Sequence, residues 1–142
     1  MKGYLMVRVG GSAYGMRIEQ VLEVIDDVAV HAAPGIHPAV RGVTPMRGRM
    51  VPLVHLGALI ENTPPPPAVG ETAVLTRCLG SLLAFEVDDA EAVVMEVPAR
   101  VPDAWHLPWA AGVARHGEAV VPVIDVDLLG ERLTAAGGQE SA

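Results

Sequence analysis

Alternating hydrophobic and polar positions dominate the chain, and the alternating runs are short and separated by glycine or proline. Residues 4–9 alternate and are followed by Gly10-Gly11-Ser12, so they predict a hairpin with a second strand near residues 13–18. Residues 18–25 combine helical and alternating spacing, which predicts one helical turn leading into a strand. Residues 31–38 are predicted to be a loop by their prolines and glycine. The remaining predicted strands are 40–44, 50–56, 72–79, 82–87, 92–97, 110–115 and 119–126.

The second half of the chain repeats the first half at an offset of 70 residues, and the upstream segment 15–21 resembles 84–90 at an offset of 69. Residues 42–59 read GVTPMRGRMVPLVHLGAL, and residues 112–129 read GVARHGEAVVPVIDVDLL. Repeats at a fixed offset indicate copies of one supersecondary unit, so we expect two copies of a small module. The identical pairs are Gly42/Gly112, Val43/Val113, Val51/Val121, Pro52/Pro122 and Leu59/Leu129.

Each module has about five strands and little helix, and a unit of this size buries only a limited core. Closing the strands into a small barrel removes exposed edges, so we predict an all-β fold of two packed five-stranded barrels. Pro52 and Pro122 are expected at a barrel corner. We divide the chain into a first barrel at 1–63, a proline-rich junction at 64–70, a second barrel at 71–130 and a tail at 131–142. Within the C-terminal part we expect a short helix near 128–136 and disorder at 137–142.

Charge and hydropathy exclude several classes of partner. The net charge is −7, and residues 71–142 hold four bases and twelve acids, against six bases and five acids in residues 1–70. Nucleic acids and anionic membrane surfaces require a basic stripe, so we predict neither partner. Mean hydropathy is +0.36, yet no segment reaches the roughly 20 apolar residues of a membrane span, and we expect a cytoplasmic protein.

Residues with catalytic potential are scattered. The five histidines do not have the spacing of a zinc site, and Cys78 and Lys2 are the only residues of their types. We therefore predict no cofactor and no metal, although a small metal-dependent enzyme using His55, Asp88 and Asp125 remains a rival interpretation.

Two further features favour contact with other proteins. Trp105 and Trp109 suit either an interface or a plug for the second barrel. The turn that carries Arg47 and Arg49 could clamp a carboxylate.

Several segments, in the expected order, resemble the CheW family of bacterial chemosensory coupling proteins. The family's Tyr-Gly-hydrophobic block is similar to Tyr14-Gly15-Met16, which is followed by Val21, Glu23 and Val24. Its turn G-V-x-N-x-R-G-x-x-V-P is similar to residues 42–52, with Pro45 in place of the asparagine. A V-D-x-V-x-x-V element is similar to residues 87–93, and His55 stands where an aspartate is common.

The resemblance implies two five-stranded SH3-like barrels and a non-enzymatic adaptor in chemotaxis signal transduction. The implied partners are the cytoplasmic tip of a methyl-accepting chemoreceptor and the regulatory domain of a CheA-type histidine kinase, in receptor arrays at the inner membrane. A different chemosensory system, serving pilus motility or gene regulation, is an open alternative. We also expect Glu23 and Arg47 to pair across the first barrel, and the alternative is that they are two independent solvated side chains. The implied partner-binding residues are Val21, Glu23, Val24, Arg47, Gly48, Val87 and Asp88.

Overall fold

Ten strands and two α-helices form the part of the chain that the computed structural model describes, which is residues 2–33 and 37–141, with side chains up to residue 134. A single 3-10 turn, Ile18–Gln20, lies between the second and third strands. The elements are β1 (Tyr4–Val9), β2 (Ser12–Arg17), β3 (Val21–Ile25), β4 (Val40–Met46), β5 (Arg49–His55), α1 (Leu56–Glu61), β6 (Thr72–Cys78), β7 (Ser81–Val87), β8 (Asp89–Val94), β9 (Ala110–His116), β10 (Ala119–Ile124) and α2 (Val126–Ser141).

The strands form two five-stranded sheets with the orders β8-β1-β2-β10-β9 and β3-β6-β7-β5-β4. We call these the first sheet and the second sheet. Strands β1 to β5 are the repeat partners of β6 to β10, in that order. If every strand is exchanged for its repeat partner, the order of the first sheet becomes the order of the second sheet. The repeat seen in the sequence is therefore a repeat of topology as well. In both sheets one parallel pair, β2 with β10 or β5 with β7, joins the two halves of the chain.

The sheets do not follow the division predicted at residues 1–63 and 71–130. Each sheet takes the first two strands of one copy and the last three strands of the other copy. The exchange arises because the 3-10 turn Ile18–Gln20 carries the chain from the first sheet to the second, and the bend at Asp88 carries it back. The two copies have the same strand order, but each five-stranded sheet is built from both of them.

Three clusters of buried side chains explain the high mean hydropathy. Tyr4 and Met6 point into the core of the first sheet, whereas Leu5 and Val7 point into the cluster shared by both sheets and both helices. Leu53 and Val54 divide in the same way between the core of the second sheet and the shared cluster. Alternate side chains of a strand point to opposite faces, so these strands are buried on both sides.

Repeated residues occupy equivalent places in the two sheets. A Cβ atom at Gly42 would lie 2.3 Å from the carbonyl oxygen of His31, and one at Gly112 would lie 2.7 Å from that of Ala99. Both glycines allow a connecting segment to form a bridge with an outer strand, His31 with Val43 on β4 and Ala99 with Val113 on β9.

Pro52 and Pro122 occupy equivalent positions next to the parallel strand pairs. Each immediately precedes the first residue of the parallel pairing, Leu53 with Ala84 or Val123 with Gly15. A proline has no N–H to donate, so it fits a strand position with a partner on one side only.

The structure departs from three predicted elements. Helix α1 begins at Leu56, where the sequence pattern predicts the end of a strand, and the sequence analysis predicts no helix there. Strand β8 begins at Asp89 rather than near residue 92, because Asp89 already pairs with Arg8 of β1. Helix α2 continues through the predicted disordered tail as far as Ser141, as no proline interrupts it. Residues 34–36 of the predicted loop lie outside the described residues, as does Ala142.

Candidate partner-docking surfaces

An ion pair joins the two edges of the second sheet. The Arg47 Nε donates to the Glu23 Oε1 at 3.0 Å, and the two side chains are 50% and 42% exposed. Glu23 lies on β3 and Arg47 follows β4, and these strands are the opposite edges of the sheet. The pair therefore bridges the rolled sheet, and the predicted contact between these residues is confirmed.

The backbone of the β4–β5 turn fixes the direction of the Arg47 side chain. Arg47 and Gly48 have φ values of 51° and 72°. Two successive residues with positive φ make a tight hairpin turn whose twist matches the flanking strands. Gly48 adopts this conformation without cost, and a Cβ there would meet nothing within 4 Å, so its role is conformational.

Strand β3 leaves apolar surface beside this ion pair. Val24 is 41% exposed, and Val21 is half-buried against the shared cluster. Strand β3 has β6 as its only neighbour in the sheet order, so its outer edge is free among the described residues. We call Val21, Glu23, Val24, Arg47 and Gly48 the β3 surface. The structure brings these five predicted residues together.

A matching free edge lies on β8 in the first sheet. Val93, the repeat partner of Val24 at the offset of 69, is 51% exposed, and Met95 and Val97, in the segment that follows β8, are 66% and 73% exposed. Exposed apolar residues grouped at and just beyond a free strand edge are typical of contact surfaces. We call Val93, Met95 and Val97 the β8 surface. Sequence reasoning missed it, although the repeat partner of Val24 could have indicated it.

Val87 and Asp88 lie at the bend before β8 and have structural roles. Val87 is only 1% exposed and packs in the shared cluster, so its side chain offers no surface to a partner, contrary to the prediction. The Asp88 Oδ2 accepts a hydrogen bond from the Gly10 N–H at 2.8 Å, and the Asp88 N–H donates to the Arg8 carbonyl oxygen. Asp88 is exposed, but its carboxylate fixes the β1–β2 turn.

A buried polar network in the second sheet was not predicted. Arg41 makes a bidentate ion pair with Glu86, at 2.9 Å and 3.1 Å, and both side chains are almost completely buried. The same guanidinium donates to the carbonyl oxygens of Pro66 and Ala68. The proline-rich junction is therefore fastened to the sheet. Since the acid and the base are 45 positions apart, no local pattern indicates this pairing.

His55 belongs to the same network and caps helix α1. Its Nδ1 accepts a hydrogen bond from the Ala58 N–H at 3.0 Å, and its Nε2 lies 3.7 Å from the Glu86 Oε2. Burial lowers the pKa of His55, and the nearby Glu86 carboxylate only partly opposes that effect. A neutral imidazole that accepts at Nδ1 carries its proton on Nε2, facing Glu86.

Asp125 corresponds to His55 in the repeat and caps helix α2. Its carboxylate accepts hydrogen bonds from the Asp127 and Leu128 N–H groups, from Gln20 and from Arg17. Burial by itself raises the pKa of Asp125, but these donors outweigh that effect and hold the pKa below its ordinary value.

The three residues of the rival enzyme interpretation thus have three different structural partners. His55 and Asp125 cap different helices, and Asp88 fixes a turn. Among the side chains of residues 2–33 and 37–134, no group of three or more His, Cys, Asp or Glu residues is arranged to hold a metal ion. The structure therefore does not bring the proposed set together.

The two tryptophans have different environments. Trp109 is 5% exposed and meets Tyr14 edge-on at 6.0 Å between ring centroids, within the shared cluster. Trp105 is 44% exposed. The plug interpretation therefore suits Trp109, and Trp105 is available at the surface.

Comparison with known proteins identifies the family of this chain. The sequence model of the CheW-like domain matches residues 3–133, which is most of the 142 residues. The chain belongs to the CheW-like domain family. CheW-family members are scaffolding proteins of chemotaxis signalling and are not enzymes.

A solved CheW structure has the same fold as this CheW-like chain. The scaffolding protein TtCheW from Thermoanaerobacter tengcongensis is similar over 92% of each chain, with 19% identity and a TM-score of 0.75. The predicted all-β architecture of two five-stranded, SH3-like barrels is thereby confirmed. No curated protein matches the sequence. None of the described helices of this CheW-like chain has the length and apolar character needed to span a bilayer.

Proposed function

We propose that the chain is a non-enzymatic adaptor that couples the cytoplasmic tips of methyl-accepting chemoreceptors to the regulatory domain of a CheA-type histidine kinase. The match of the CheW-like family over residues 3–133 carries this proposal. The adaptor would act in the cytoplasm, at receptor arrays on the inner membrane, without entering the bilayer itself.

An adaptor must hold two partners at once, so it needs two separate surfaces. The β3 surface and the β8 surface lie on free edges of different sheets, which supports simultaneous docking. Each combines backbone hydrogen-bonding groups at a strand edge with exposed apolar side chains. Such edges bind a partner by adding a strand or by covering the apolar row.

The exposed valines allow each surface to be tested separately. Val24→Glu would place a charge on the β3 surface, and Val93→Glu would place one on the β8 surface. We expect each substitution to weaken binding of one partner by about tenfold or more, since a charge is desolvated in an apolar contact. Val120→Glu is the matched control, because Val120 is 53% exposed but lies on the inner strand β10.

Binding would be measured by calorimetry with the purified kinase regulatory domain and with a soluble receptor-tip fragment from the same organism. The proposal predicts that the unmodified chain binds both. Failure to bind either partner would refute the adaptor function. Normal binding by both valine variants would show that the partners dock elsewhere.

A further inference from the structure

Three arginines line one open cavity at the end of the second sheet. The cavity has a volume of about 380 Å³ and is bounded by Arg47 and Arg49 of the β4–β5 hairpin, Arg77 of β6, and residues 80–82 at the start of β7. All three arginines are exposed. The chain as a whole is strongly acidic, so this concentration of positive charge stands out.

The cavity exists because two parallel strands diverge. Strands β5 and β7 pair only at Leu53–His55 with Ala84–Glu86. Pro52 cannot donate a hydrogen bond towards β7, so the preceding parts of the two strands are not held together. The gap between them is open to solvent.

The charges in this cavity are not balanced by the protein itself. Arg47 pairs with Glu23, but neither Arg49 nor Arg77 has a carboxylate within ion-pair distance among residues 2–33 and 37–134. Asp127 follows β10 near this end of the sheet, but its carboxylate accepts from the Leu79 N–H at 2.7 Å and does not line the cavity. Like charges held close together repel, and an anionic ligand relieves that repulsion.

The repeat provides an internal comparison. The residue equivalent to Arg77 in the first sheet is Arg8, which is paired with Glu91. The positions equivalent to Arg47 and Arg49 are Gly117 and Ala119, which carry no charge. The two sheets share their topology, so the basic cavity is a property of these side chains and not of the fold.

We propose that this cavity binds carboxylates of an acidic segment on a protein partner. Guanidinium groups hold carboxylates through paired, charge-assisted hydrogen bonds, so Arg49 and Arg77 can each hold an acidic side chain of one segment. The proposal rests on the proposed adaptor function, because that function supplies a protein partner. It adds the chemistry by which one partner is recognised, at a place next to the β3 surface.

The variant that tests the cavity is Arg49→Glu combined with Arg77→Glu, which leaves the Arg47–Glu23 pair intact. The control is Arg115→Glu, since Arg115 is exposed on the equivalent β9–β10 hairpin. Circular dichroism and thermal melting establish that each variant is folded. If the double charge reversal does not fold, Arg49→Gln with Arg77→Gln replaces it and keeps the side chains long and polar.

A capped hexaglutamate peptide is the first probe, with capped hexaglutamine as its uncharged counterpart. We expect NMR shifts at residues 47–49 and 77–82 with the acidic peptide only, and their loss in the double variant but not in Arg115→Glu. Shifts spread over the whole surface, or equal shifts with both peptides, would overturn the proposal. This test does not depend on the adaptor function.

The second measurement uses the kinase regulatory domain and the receptor-tip fragment. The proposal predicts that the double variant binds one of them about tenfold more weakly, with the difference shrinking at high salt. If the unmodified chain binds both partners and the double variant binds both equally well, the cavity has no such role. If the charge reversal instead abolishes association between copies of this chain and leaves both partners bound, the acidic segment belongs to a second copy and the proposal fails.

Discussion

At the scale of single residues, the polar side chains that matter most for stability are those that cap helices and join the two halves. Asp125 is the clearest example, because four donors from three parts of the chain converge on its carboxylate. By contrast, the exposed Glu23–Arg47 pair is expected to contribute less than about 1 kcal/mol to the free energy of unfolding. Substitutions at Glu23 or Arg47 can therefore test binding without unfolding the protein.

Replacing Asp125 by Asn should make stability less sensitive to acid. Asparagine still caps a helix, but it loses the charge that attracts Arg17, so we expect a loss of about 1 kcal/mol at neutral pH. The pKa of Asp125 is lowered in the folded state, so its contribution is complete above the pKa of the unfolded chain, about 4. This stabilising contribution disappears as the pH falls through the lower pKa that Asp125 has in the folded protein.

Urea denaturation of both proteins between pH 7 and pH 3 checks this expectation. The difference in unfolding free energy should be largest near neutral pH and should shrink towards pH 3. A difference that is constant over this range would mean that the charge of Asp125 does not stabilise the fold.

At the scale of elements, sequence patterns predicted strands well where both strand faces meet a core. Most predicted strands, such as β1 and β7, agree with the structure because alternation and turn glycines are local signals. Helix α1 was missed since it has only six residues and its cap is a histidine, which is not a common helix cap. The Arg41–Glu86 pair was missed because it depends on which strands become neighbours.

That ion pair predicts a specific pattern of stability changes. Arg41→Met leaves Glu86 buried without its partner, and we expect a loss of about 3 to 5 kcal/mol. Combining it with Glu86→Leu removes the unpaired charge and should recover a large part of that loss. Chemical denaturation of the two single variants and the double variant measures the coupling.

A double variant at least as unstable as the sum of the single variants would contradict this account. The pair of substitutions would then act independently, and the junction at Pro66 and Ala68 would have to be held by other contacts.

At the scale of the whole molecule, the sequence revealed two copies but not their exchange of strands. The copies have the same hydrophobic pattern, so a hairpin such as β1–β2 could complete either barrel. The choice depends on the short connections at residues 18–20 and 88, which carry no strong pattern of their own. The β3 surface could be predicted from family residues, whereas the basic cavity requires the divergence of β5 and β7 to be known.

The exchange predicts that neither half of the chain folds alone. Residues 1–63 lack the inner strands β6 and β7 of the second sheet, and residues 71–142 lack β1 and β2 of the first. Each separate fragment should show no cooperative unfolding, whereas an equimolar mixture should recover the native circular dichroism spectrum. Cooperative unfolding of either fragment by itself would contradict the exchanged arrangement.

The central claim is that one copy of this chain bridges two different proteins. The most direct measurement is sedimentation of a mixture of the chain, the CheA-type kinase regulatory domain and the receptor-tip fragment, each with a distinct fluorescent label. The account predicts a single boundary that carries all three labels. With Val24→Glu one partner's label should leave this boundary, and with Val93→Glu the other partner's label should leave it. Two boundaries, each holding the chain with only one partner even at saturating concentrations, would contradict it.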